Sequence, residues 1–218
     1  MDSVFHFIQA GGLVMYPLIL LSFAAVLIIV ERLIAFRQLG GTSPGLTDRT
    51  VKMVREGKLD EATSNAAAKS GPVATSILTI LQNRNLPEPE VEGLVEEAGQ
   101  PYFQRLERFL PVLDTTTTIS PLLGLLGTII GMIGTFNAIA AQKAHGNSDA
   151  VMSGVGEALY ATATGLCIAV ICFIAYNYFA SRLRTIISET EQAATRVLNA
   201  IAGHNASIPI KERIKDAV

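Results

Sequence analysis

Long uncharged stretches dominate the pattern of this chain. Phe7 to Val30 runs 24 residues without a charge, Thr115 to Gln142 runs 28, and Ala158 to Ser181 runs 24. A helix that crosses the hydrocarbon core of a bilayer takes about 20 consecutive apolar residues, so each stretch is long enough to span. Three transmembrane helices are therefore predicted. The first stretch has no basic residue ahead of it and is too long for a secretory h-region, so it is read as an anchor kept in the mature protein.

The segments between and after these runs also read as helical. Glu56-Gly57-Lys58-Leu59-Asp60-Glu61-Ala62 opens an Ala-rich helix that Gly71-Pro72 breaks. A second helix is expected from Val73 to about Asn83. Asn85-Leu86-Pro87-Glu88-Pro89-Glu90 is a turn with acidic helix-start chemistry, and one long helix is expected from Val91 to about Leu113, running into the second apolar stretch. After the third stretch, Ile186, Ile187, Ala193, Ala194, Val197 and Ile201 keep a helical spacing, so that helix should continue to about Ala202, with a frayed end beyond 205. No strand pattern of useful length is present. The expected fold class is all-α: an integral membrane protein whose three transmembrane helices are extended by long cytosolic helices.

Charge sets the orientation. Of the 17 basic residues, Arg32 ends the first run, nine lie from Arg37 to Arg108, Lys143 stands alone, and six follow from Arg182. Cytosolic loops carry the Lys and Arg excess. The expected arrangement is an outer N-terminal segment and first transmembrane helix over 1–36, a cytosolic helical domain over 37–110, and a second transmembrane helix over 111–142. A short outer loop over 143–150, a third transmembrane helix over 151–181 and a cytosolic helical tail over 182–218 complete it.

Within the membrane runs, the small and polar positions carry the candidate chemistry. Gly124, Gly127, Gly131 and Gly134 recur at 3, 4 and 3 on the second run, and Gly154, Ala158, Ala161, Gly165 and Ala169 answer on the third. Small stripes let membrane helices approach closely. They can pack the hairpin internally, join subunits, or do both. Thr128 lies about 20 Å from the outer end of the second run and Thr162 about 16 Å from that of the third, at matched depth. Glu157 lies near the outer end of the third run. An intramembrane carboxylate costs about 2.5–3.5 kcal/mol on insertion scales, so it usually faces a bundle interior, a partner or water. Asp114 falls near the cytosolic interface, where water can reach it; the alternative is a helix-start carboxylate. The alternatives for the others are a hydroxyl bonded back to its own helix and, for Glu157, a snorkelling interfacial charge. Glu31-Arg32 reads as an interfacial anchor rather than as chemistry.

Composition removes several classes. The 218 residues carry a net charge of −2, are 50% hydrophobic and have no Trp, which excludes a disordered chain and argues against a nucleic-acid partner. Cys167 and Cys172, five apart, match no metal or redox spacing and read as small apolar fillers; His6, His145 and His204 form no ligand pattern. No metal or cofactor is expected. Intramembrane proteolysis would require a Ser with a membrane His, or two membrane Asp; only Asp114 comes near, so no enzymatic activity is expected.

Leu123-Gly124-Leu125-Leu126-Gly127-Thr128-Ile129-Ile130-Gly131-Met132, followed by Gly156-Glu157-Ala158-Leu159-Tyr160-Ala161-Thr162-Ala163-Thr164-Gly165-Leu166, resembles the paired signature of the MotA/TolQ/ExbB proton-channel family. Glu31-Arg32-Leu33 at the end of the first run also fits, and the resemblance covers nearly the whole chain. It implies a homo-pentameric bundle in the bacterial inner membrane that encloses the single transmembrane helices of an ExbD/TolR-like dimer. It further implies Thr128, Thr162 and Glu157 along the proton route, and a TonB- or TolA-like transducer as the protein driven. Three membrane runs argue against the four-helix MotA branch, and the ExbB branch fits first, TolQ next. A non-conducting membrane scaffold is the reading from another class; it explains the glycine stripes and leaves Glu157 and the threonines without a reason. Many relatives carry a proline six residues after the glycine matching Gly165, where this chain has Ile171.

Overall fold

The computed structural model describes residues 11–40, 45–141 and 148–207. Expectations resting on His6, on the start of the first run, on Lys143 and His145, and on the tail beyond 207 lie outside the described residues, as does the side chain of Glu157. Among the described residues every regular element is helical. In chain order these are α1 (Met15–Leu39), α2 (Leu46–Arg55), α3 (Leu59–Ala67), α4 (Pro72–Gln82), α5 (Glu88–Glu107), α6 (Leu110–Ala141) and α7 (Ser148–Ser207).

Three stretches are helical, long and apolar enough to cross a membrane: Met15–Leu39, one within Glu88–Asn137 and one within Gly154–His204. Only 17%, 28% and 33% of their most apolar windows are buried, so most of those side chains present hydrocarbon outward. Helices suit that setting because they satisfy their own backbone hydrogen bonds. The chain divides into two compact units. One takes residues up to 31 together with 109–179; the other takes 32–108 together with the chain from 180 onward.

The first unit is built on a helical hairpin. Buried positions on α6 (Leu113, Thr116, Ser120, Gly124, Gly127, Gly131) recur every three or four residues, and Ser120, Gly124, Gly127 and Gly131 meet the α7 stripe of Ala158, Ala161 and Gly165. The second unit has an aliphatic core in which Val54 of α2, Ile77, Ile80 and Leu81 of α4, and Val197 of α7 are fully buried. Helix α4 starts at Pro72, whose fixed φ suits a first helical position, after Gly71 at φ 116°, a conformation that favours glycine. Helix α2 is not among the sequence expectations. Its pattern is clear once its bounds are known: Leu46, Thr50, Val51 and Val54 are buried at helical spacing, with Arg49, Lys52 and Arg55 on the other side. The Ala-rich helix begins at Leu59, three residues after Glu56.

One expectation is corrected. The helix expected from Val91 to Leu113 is two helices, α5 ending at Glu107 and α6 beginning at Leu110. Pro111 has no N–H to give to Glu107 and its ring would strike that carbonyl, so it sits without loss only in the first turn of a new helix. The chain turns through Arg108 at φ −49°, ψ 132° and Phe109 at φ 71°. Left-handed backbone costs a non-glycine residue roughly 1–2 kcal/mol. In α7 the helix passes through Ile171 without interruption and continues to Ser207, five residues past the expected end.

Candidate functional site

The α6–α7 hairpin places the sequence-singled residues against one another. Its helices run so close that backbone meets backbone. A Cβ added at Gly124 would stand 3.0 Å from the Cα of Thr162, one at Gly127 would stand 2.5 Å from the Cβ of Ala161, and one at Gly131 would stand 3.0 Å from the Gly154 carbonyl oxygen. Gly165 is pressed against the Ser120 carbonyl and lies 3.3 Å by the same measure from Gly124 Cα. Only small residues allow this approach. Gly134 differs: nothing lies within 4 Å of a Cβ placed there.

Thr162 uses the same proximity. Its hydroxyl donates across the hairpin to the Gly124 carbonyl at 3.0 Å and is shared with its own Ala158 carbonyl at 3.3 Å. The chain thus bonds its two signature segments directly. Thr128 donates to Leu125 of its own helix at 2.7 Å and is half-buried. Because Thr162 stands level with Gly124, the two threonines are about one helical turn apart in height, roughly 6 Å along α6. Both hydroxyl protons are held by carbonyls, and each oxygen keeps lone pairs that can accept from water or an acid.

The entry to α6 is hydroxyl-rich. Thr115, Thr116 and Thr117 donate to the carbonyls of Pro111, Val112 and Leu113 at 2.8, 2.7 and 3.0 Å, and Ser120 donates to Thr116 at 2.7 Å. Asp114 is exposed and is the fifth residue of α6, beyond the first turn where the helix dipole acts most strongly. Its neighbour Thr118 bonds the Asp114 carbonyl at 3.4 Å. Glu157 lies in α7 one residue before Ala158, which packs on Gly131; its side chain is outside the described residues. Cys167 is exposed and Cys172 buried, on different sides of α7.

Sequence reasoning missed one residue. Arg32 is 2% exposed, and a single terminal nitrogen of its guanidinium donates to the carbonyls of Arg105 at 2.6 Å and Leu106 at 3.0 Å. Those carbonyls end α5 and have no next helical turn to accept from. A cation at a helix C-terminus is also favoured by the dipole. The signal available in the sequence was a basic residue closing an apolar run, which fits an interfacial anchor equally well.

Comparison with known proteins agrees with the hairpin. The MotA/TolQ/ExbB proton channel family matches residues 65–192, which take in α4, α5, α6 and much of α7. A putative ExbB-like biopolymer transport protein of Synechocystis is 32% identical over 177 residues, covering 79% of this chain and 83% of the relative. The biopolymer transport protein exbB1 of Vibrio cholerae is 30% identical over 181 residues, 78% of this chain and 76% of that protein. The Tol-Pal system protein TolQ of Pseudomonas aeruginosa is 39% identical over 84 residues, 38% of this chain and 36% of the relative. With a match over more than half its length, centred on the tightly packed α6–α7 pair, the chain belongs to the MotA/TolQ/ExbB proton channel family.

Proposed function

We propose that this chain is the channel-forming subunit of a proton-motive-force-driven motor of the inner membrane, of the ExbB type, energising a TonB-type transducer for outer-membrane transport. The observation that carries the reading is the Thr162 hydroxyl bonded to Gly124 across the hairpin, within the two segments that resemble the family signature. A hydroxyl held by a carbonyl cannot lose its place, yet its oxygen still accepts from water or from a partner's carboxylic acid. In this role Thr128 and Thr162 hydrate the route, Glu157 lies toward its outer end, and Asp114 receives the proton on the cytosolic side. The titrating acid belongs to a single-span ExbD/TolR-like dimer inside a homo-pentamer. The N-terminus faces the periplasm and the C-terminus the cytosol, as the basic residues favour. None of these roles requires enzymatic chemistry by the chain.

The TolQ relative supports a second reading, a subunit of an envelope-integrity motor that drives a TolA-like protein. Native mass spectrometry of the protein taken in mild detergent from its own membranes tests both. Five copies with two of a small single-span protein is the expected result, and the identity of that protein decides between the readings. A chain that never retains such a partner removes the motor and leaves the scaffold. Glu157→Gln is expected to impair proton-driven work more than Glu31→Gln in a complementation assay; equal tolerance would return Glu157 to a snorkelling charge.

A further inference from the structure

A groove runs between α5 and α7 in the second unit. Its walls are one face of each helix, every third or fourth position from Glu92 to Phe103 and from Ile187 to Leu198, so it extends about 16 Å along the axes. The cavity holds about 450 Å³. Val95, Phe103, Ala194 and Leu198 make it apolar inside, while Glu92, Glu96 and Glu191 bring three carboxylates to it and no Lys, Arg or His lines it.

Ser76 of α4 also lines this cavity. It is fully buried, and its hydroxyl has no hydrogen-bond partner among the described residues. Thr79 and Thr190 of this unit bond back one turn, to Thr75 and Ile186, whereas the buried Thr50 hydroxyl of α2 is unpartnered like that of Ser76. An idle buried hydroxyl loses the bonds it would make in water, a cost that the packing of α4 carries here.

The matching charge is on the same unit. Arg49, Lys52 and Arg55 lie along the exposed face of α2, opposite its buried Leu46, Val51 and Val54. Arg49 and Arg55 make no ion pair among the described residues. Lys52 has only an exposed intrahelical contact to Glu56 at 3.9 Å, and Glu56 is also engaged by Lys58 at 3.1 Å. These cations cannot fill the groove of their own chain. Arg196 of α7 holds Asp48 of α2 at 2.5 Å, and position 196 points roughly 170° away from the middle of the groove face at 100° per residue. Acidic groove and basic helix therefore lie on opposite sides of α7. Complementary surfaces on opposite sides of one subunit make a head-to-tail contact, the kind that closes into rings.

We propose that the α5–α7 groove receives α2 of a second copy of this chain, with Arg49, Lys52 and Arg55 set against Glu92, Glu96 and Glu191. The long basic stems lie on the apolar walls while their charged heads reach the carboxylates. The inference rests on the chain being one subunit of a ring, and the test separates the two. Wild-type copy number, measured first on the complex with its partner, tests the ring itself. Next come Glu92→Lys with Glu96→Lys, then Arg49→Glu with Lys52→Glu, then all four together. All four positions are exposed, and helix content by circular dichroism checks that each variant folds.

Each pair is expected to lower the fraction of full-size assembly, more so at low salt, and the fourfold variant to restore it. In a chain carrying Cys167→Ala and Cys172→Ala, Lys52→Cys with Glu96→Cys is expected to give a disulfide ladder beyond the dimer. Three results would overturn the proposal: an unchanged ring in both pairs, a ladder that stops at two, or loss of the partner protein at constant copy number. The last would assign the groove to a basic segment of that partner.

Discussion

Gly165 and Gly134 have the same side chain and opposite consequences. Gly165 lies against the Ser120 carbonyl, whereas Gly134 has nothing within 4 Å of an added Cβ. Forcing an extra methyl into a packed contact costs about 1–3 kcal/mol, so Gly165→Ala should lower the unfolding midpoint in detergent clearly. Gly134→Ala, in open space inside a helix, should instead leave stability unchanged or raise it by up to about 1 kcal/mol. Equal effects would mean that the hairpin is not packed through Gly165. Thr162→Val tests the hydroxyl at nearly constant volume. A helix-to-helix hydrogen bond in a membrane is worth about 0.6 kcal/mol on average, so assembly should survive while proton-coupled work is lost, and Thr162→Ser should restore it. Full activity of Thr162→Val in a proton-flux assay would remove the residue from the pathway. Counting residues from the run ends set Thr162 level with Thr128, whereas it stands level with Gly124, about one turn away; nor could the sequence show that its proton is given to Gly124, because that bond joins residues 38 apart.

Among the elements, the end of α5 depends on a residue that propensity does not mark. The break falls just ahead of Pro111, and the carbonyls left at Arg105 and Leu106 are taken by Arg32 of α1. Arg32→Gln removes a buried charge-assisted pair, each such bond being worth about 1.5–3 kcal/mol, and should lower the unfolding midpoint with some loss of helix by circular dichroism. Arg32→Lys should recover part of the loss, since one nitrogen makes both bonds; no recovery would show that the planar guanidinium itself is needed. The boundary at 108–109 was hidden because the apolar and polar periodicity of α5 continues into α6 and only Pro111 objects. Yet Pro101 and Pro121 sit inside α5 and α6 without ending them, so a proline by itself was not decisive.

For the whole molecule, the positive-inside orientation gives a direct expectation. With Cys167 and Cys172 replaced by Ala, a cysteine at Lys69 should react with an impermeant maleimide only after the inner membrane is opened; reaction in intact spheroplasts would reverse the topology. What the sequence determined alone was the class of solution: three uncharged runs of 24 to 28 residues require helices in a bilayer. It determined the small-residue faces as well, since a spacing of three and four is a property of one helix. Only the tertiary structure decided what those faces meet, which carbonyl holds Thr162, and that Arg32 closes α5. It alone left Ser76 unpartnered in a groove lined by Glu92, Glu96 and Glu191. Periodicity is local and can be read along the chain, whereas these contacts join segments tens of residues apart, and the partner of a buried polar group is fixed only when the helices pack.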